Sequence, residues 1–210
     1  MSQLLSFAAF ELRHHLRRPI TYVFMAAMFF LAFLFATTDA VSIGGVGGKL
    51  VVNSPWVVNM AVMILTLIGM IMTSAISGTA VLRDFEIKAH ELLFTTRLRK
   101  SSFVFGRFLG AYAVTVLVFS CSALGLAAAM WWPWMDPERI GPGGLVNYLW
   151  PITVYILPNA LLACALFFAV GIVSRSFTAV YVQGVVLFSG YSVALTLLSD
   201  LDNEAIAGLL

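Results

Sequence analysis

The 210-residue chain is 61% hydrophobic and only 10% charged, with a formal net charge of +2 and a mean hydropathy of +0.97. Soluble domains carry about a quarter charged residues, and a core of this chain length could not hide so much apolar surface. The composition therefore excludes a water-soluble domain and makes lipid the solvent. Cys121 and Cys164 both lie in apolar runs, so they read as small buried hydrophobes, not as a disulfide framework or a metal pair.

The first 19 residues mix apolar side chains with Glu11, Arg13, His14, His15, Arg17 and Arg18. They lack the continuous apolar core of a cleavable signal peptide. Leu5, Ala8, Ala9, Leu12 and Leu16 instead follow helical spacing, with the bases gathered toward the end, which predicts an amphipathic helix over 1–19. Such a helix can lie on membrane lipids with its bases on anionic headgroups, until Pro19 turns the chain inward. His14 and His15 are adjacent and would point about 100° apart on a helix, a poor geometry for holding a metal.

Five charge-free intervals follow, 19–38, 50–82, 108–135, 140–174 and 176–199. Each reaches the roughly 20 apolar residues that a bilayer-crossing helix requires, and none shows the alternation of a membrane barrel. The expected fold is all-α and polytopic, with spans near 20–38, 56–82, 104–131, 148–173 and 177–198, and a start of a further region at 199–210. Placing the N-terminus in the cytoplasm leaves 10 of the 12 Lys and Arg inside, with only Lys49 and Arg139 outside. Excess positive charge on the inner side sets that orientation. The five spans then leave the C-terminus outside.

Of the connections, "DAVSIGGVGGKLVVNSP" is Gly-rich, "WWPWMDPERIGPGG" is rich in Trp and Pro, and "SRS" permits only a tight turn. "GGVGGKL" lacks the spacing of a nucleotide-binding Gly-rich loop. The segment 83–102 is different in kind. "RDFEIKAHELLFTTRLRK" holds eight of the chain's 22 charged residues, acids first and bases last, as a helix dipole favours. From Asp84 to Phe94 a helix would align Phe85, Ala89, Leu92 and Leu93, and Ser101 or Ser102 would cap span three. Its length exceeds that of a bare turn and suggests a surface for a protein or for headgroups. His90-Glu91 could suggest zinc, but His-Glu-x-x-His fails where Phe94 stands.

No full charge is expected to be buried inside the spans, which leaves a proton relay without a carrier and an intramembrane enzyme without a catalytic constellation. Thr66, Gly69, Thr73 and Ser77 form a small-polar stripe on span two. Helix packing accounts for such a stripe; a translocation path using Asn59, Thr66 and Asn159 is the alternative. Gly106-x-x-x-Gly110 invites close helix approach. Pro151 and Pro158 should bend span four, where Asn159 could satisfy a freed carbonyl.

"RDFE…HELLFTTRLRKSSFVFGRFLGAY" resembles the region between the second and third spans of ABC-type-2 transporter permeases. Glu91, Leu92, Leu93, Thr95, Gly106 and Arg107 occupy the matching positions. "FELRHHLRRP", "NSPW", "AVLRDFE" and "LDNEAIAGLL" are similar to the subgroup fused to an extracytoplasmic zinc aminopeptidase-like domain. The resemblance implies a sixth span, absent from this chain, and a multi-pass protein of the bacterial inner membrane. It further implies a membrane-spanning subunit of an exporter, working with an ABC ATPase subunit that holds the ATP and Mg²⁺. A second permease copy or homologue would complete a dimer, with no enzymatic activity, cofactor or nucleic-acid partner in this chain. Coupling to the ATPase would fall on Asp84, Glu86, Glu91, Leu92, Leu93, Thr95, Thr96 and Arg97. The alternative is a membrane anchor for a peptidase-like domain.

Overall fold

The computed structural model describes residues 3–38, 51–86, 100–133, 135, 139–142 and 144–207, with side chains except at 84–86, 195 and 198–207. Every regular element among them is helical. In chain order they are α1 (Gln3–Leu16), span one (Pro19–Thr37), the span-two helix (Pro55–Glu86), span three (Lys100–Ala129), span four and the span-five helix (Phe177–Ala207). Five of these helices are long and apolar enough to cross a membrane, the qualifying parts of spans two, four and five being Pro55–Arg83, Val146–Ser174 and Phe177–Ala194. The chain is an all-α polytopic membrane protein.

Local chemistry sets the element ends. Pro19 occupies the first turn of span one, where its missing N–H costs nothing. The corner before it is stiff: Thr21 Oγ1 donates to the buried His15 carbonyl at 2.7 Å, and the Arg18 N–H reaches the same carbonyl at 3.0 Å. Span three is already helical at Lys100, so Ser101 and Ser102 lie within the helix and do not cap it. The turn between spans four and five closes through Arg175, at φ 50° and ψ 29°, whose N–H bonds to the Gly171 carbonyl. This left-handed cap satisfies a carbonyl at the helix end.

Span four bends where its two prolines predict, but through a widened turn. An α-helical Val146–Pro151 passes into π-helix over Ile152–Ile156 and returns to α-helix at Leu157–Ser174. The Leu157 N–H reaches back to the Ile152 carbonyl, a five-residue step that absorbs the disruption prolines cause in a regular ladder. Asn159 does not bridge the kink as expected. The Tyr112 hydroxyl of span three instead donates to the Leu157 carbonyl at 3.3 Å.

Spans two and three form the centre, each with 50% of its apolar window buried, against 22% for span one and 11% for span five. Span one lies tightly on span three: a Cβ added at Gly125 would stand 2.3 Å from the Phe29 carbonyl oxygen. At the end remote from α1, the chain before span two is fastened to the chain before span four and to the first turn of that span. The Val52 N–H donates to the Arg139 carbonyl at 2.9 Å. Asn53 Nδ2 donates to the Gly141 carbonyl at 3.1 Å, Asn147 Nδ2 to the Asn53 carbonyl at 3.1 Å, and the Tyr148 hydroxyl to Asn53 Oδ1 at 2.8 Å.

Candidate functional site

Two places gather chemistry: a charged joint under α1 and a pocket among the middles of the spans. The joint starts with the face that α1 turns inward. Leu5 and Ala9 of the expected apolar stripe are exposed, whereas Glu11 and His15 are buried, with Leu4, Phe7 and Ala8 half-buried beside them. Glycines make this docking possible. A Cβ at Gly106 would sit 2.5 Å from Phe7 Cβ and 2.9 Å from the Leu4 carbonyl oxygen; one at Gly110 would sit 2.6 Å from Glu11 Cβ. The Gly-x-x-x-Gly of span three is therefore the seat of α1.

Seated there, Glu11 is fully buried. Arg83, at the end of span two, grips it with both arms: Nη1 donates to Oε1 at 3.3 Å and Nη2 to Oε2 at 3.0 Å. Arg107 of span three brings Nε to 3.9 Å from Oε2, donates Nη1 to the Ala80 carbonyl at 2.8 Å, and sets its guanidinium 4.5 Å from the Phe103 ring centre. His15 Nε2 lies 3.3 Å from Oε1. A carboxylate out of water needs such partners, because an unpaired buried charge is costly.

Burial alone would raise the Glu11 carboxyl. His15, Arg83 and Arg107 outweigh it and hold the group below its usual range. The neighbouring His14 is pushed down, first by burial and then by Arg83 and Arg18. Its ring stands edge-on to that of His15, centres 6.0 Å apart. The expectation of no buried full charge thus fails at Arg107, whose residue is 6% exposed within the helix of span three. The α1 docking supplies the counter-charge that makes this burial tolerable.

Within the bundle the small-polar stripe of span two is buried at Thr66, Thr73 and Ser77, with Ser74 buried beside it. Most of it is satisfied locally. Thr66 donates to the Met63 carbonyl at 2.8 Å, Thr73 to Gly69 at 3.0 Å, and Ser74 to Ile71 at 2.6 Å. Gly69 meets the Phe119 ring and Gly184 of span five meets Ser74, so the stripe works as a packing seam.

The seam opens into a pocket of about 240 Å³ lined by Met63, Thr66, Leu67, Met70, Phe119, Asn159, Leu162, Ala163 and Tyr191. Four spans contribute, and none of the lining side chains is charged. Thr66 and Asn159, two of the three expected path residues, come together here. Asn59 shares the helix face of Met63 and Thr66 at i, i+4 and i+7 but does not line the pocket, and its Oδ1 is buried without a hydrogen-bond partner. The arrangement suits an uncharged, largely apolar group with a polar contact at Asn159.

Of the expected coupling residues, Asp84 and Glu86 fall in the last turn of the span-two helix, where only backbone is described. Glu91, Leu92, Leu93, Thr95, Thr96 and Arg97 lie outside the described residues. Sequence reasoning missed the Glu11 cluster. A signal existed: Phe7, Glu11 and His15 share one face, and Gly106 and Gly110 called for a helix to lie on them.

Residues 52–209 match the family model described as ABC-2 family transporter protein. The chain belongs to this family. It is the membrane-spanning permease component of an ABC-type transporter, and the match does not extend to the aminopeptidase-like subgroup. No curated protein matches the permease. Arg83 and Arg107 fall inside the matched segment, whereas α1 with Glu11 and span one precede it. The ionic joint therefore connects the matched segment to the helix in front of it.

Proposed function

We propose that this permease is the membrane subunit of an exporter driven by ATP binding and hydrolysis in a separate ABC ATPase subunit, which holds the ATP and Mg²⁺. The family match over 52–209 carries the reading. The ATPase docks on the charged connection after span two, with Asp84, Glu86, Glu91, Leu92, Leu93, Thr95, Thr96 and Arg97 in the coupling. It pushes the ends of spans two and three. Ten of 12 Lys and Arg on one side support a cytoplasmic α1 and connection in the bacterial inner membrane. A second copy or a homologue pairs along spans two and five. Substrate passes the face of span two bearing Asn59 and Thr66, with Asn159 across the pocket.

The test is capture of the ATPase with the tagged full-length permease, followed by its hydrolysis rate in lipid vesicles. Glu91→Lys and Leu92→Asp are expected to abolish permease-linked stimulation while the protein still inserts. Unaltered stimulation in both variants would refute the coupling role. An anchor for a peptidase-like domain, the competing reading, would capture no ATPase.

A further inference from the structure

The joint ties together helices that the chain itself leaves far apart. Glu11 and Arg83 are 72 residues apart in sequence, and Arg107 reaches back 27 residues to the Ala80 carbonyl. The ends of spans two and three are thus both bonded to one another and to α1. Beyond α1 the corner into span one is stiffened by the buried Thr21–His15 bond. Span one in turn presses on span three at Gly125. A displacement at the end of span two has two routes into span one: through the Ala80–Arg107 bond and span three, and through the buried Glu11 carboxylate and α1.

We infer that Glu11 is a positioning residue of the transport cycle: it locks α1 to Arg83, so that movement imposed on span two is carried through α1 into span one. This rests on the ATP-driven reading above. The bidentate grip suits the task, since two parallel bonds fix orientation as well as distance. Interior packing transmits a shift because it deforms little. Without the carboxylate, α1 still has its glycine seat on span three but, among the described residues, keeps only the Phe10 ring, 6.0 Å from the Arg83 guanidinium, against span two.

The experiment uses the full-length permease with its captured ATPase in lipid vesicles, in a Cys121→Ser, Cys164→Ala background. An environment-sensitive fluorophore is placed at Tyr22→Cys on span one or at Ile71→Cys on span two, both exposed positions. MgATP with orthovanadate is the probe. In the otherwise unaltered chain both fluorophores should respond. Glu11→Gln should reduce the response at position 22 and keep that at position 71. Arg83→Lys, which keeps the charge but not the fork, should reduce the response at 22 and serves if Glu11→Gln does not fold. Arg13→Gln, on the exposed side of α1, should alter neither.

Equal responses at both positions in Glu11→Gln and Arg83→Lys would overturn the inference, even with lowered thermal stability. So would a response at 71 without one at 22 in the unaltered chain, which leaves the permease reading standing. Silence at both positions with no ATPase captured overturns the permease reading and the inference with it.

Discussion

The two ends of the helix bundle are fastened by opposite chemistries. Under α1 the fastening is ionic: a fully buried carboxylate held by two guanidiniums, at 3.0 Å from Arg83 and 3.9 Å from Arg107. At the far end it is neutral, an amide hub in which Asn53 joins Gly141, Asn147 and Tyr148 over 88 to 95 residues of sequence. Both pin distant segments, but they fail differently. Loss of one neutral partner leaves a polar group that can find water at a helix end. Loss of the carboxylate leaves the buried Arg107 and the half-buried Arg83 facing each other without a counter-charge. The ionic end is the more specific fastening and the more breakable one.

The largest expected effect is therefore Glu11→Ala, which should destabilise the protein by about 3–5 kcal/mol, the cost of stranding a buried charge. Thermal unfolding in detergent reads it. Next comes Gly110→Val, which pushes side-chain atoms into a space where even Cβ would stand 2.6 Å from Glu11 Cβ. Overpacking of that kind costs about 1–3 kcal/mol, and α1 should become accessible to protease. Tyr148→Phe, which deletes one neutral bond at the far end, should cost about 1 kcal/mol in the same unfolding assay.

The smallest effect is with pH. Because Glu11 is held below its usual range, its contribution is fully present above the ordinary carboxylate value and is lost as pH falls through the depressed one. The stability difference between the unaltered chain and Glu11→Gln should thus shrink as pH falls below about 4.

Much of the fold was legible in the sequence because lipid asks for one thing, some 20 apolar residues without a break. All five spans were found that way. The kink of span four was readable from Pro151 and Pro158, but its π-helical form depends on how Tyr112 and the neighbouring spans receive it.

The site was less legible for a physical reason. A lone Glu11 on an amphipathic helix has the pattern of a solvated face, and only tertiary packing brings Arg83 and Arg107 to it. Gly106 and Gly110 announced a close neighbour without saying which. Thr66 and Asn159 were nominated by polarity alone. Tyr191, Met63 and Met70 complete their pocket but carry no local mark distinguishing them from any other membrane-facing residue.

The most direct measurement is a pair of double-mutant cycles, Glu11→Gln with Arg83→Gln and Asn53→Ala with Tyr148→Phe, scored by unfolding free energy. The cycle isolates the pair even though Arg83 has further interactions. The expected result is a coupling across the ionic joint that clearly exceeds that across the amide hub. An ionic coupling equal to or below the neutral one would contradict the claim that the buried carboxylate is the specific fastening of α1 to span two.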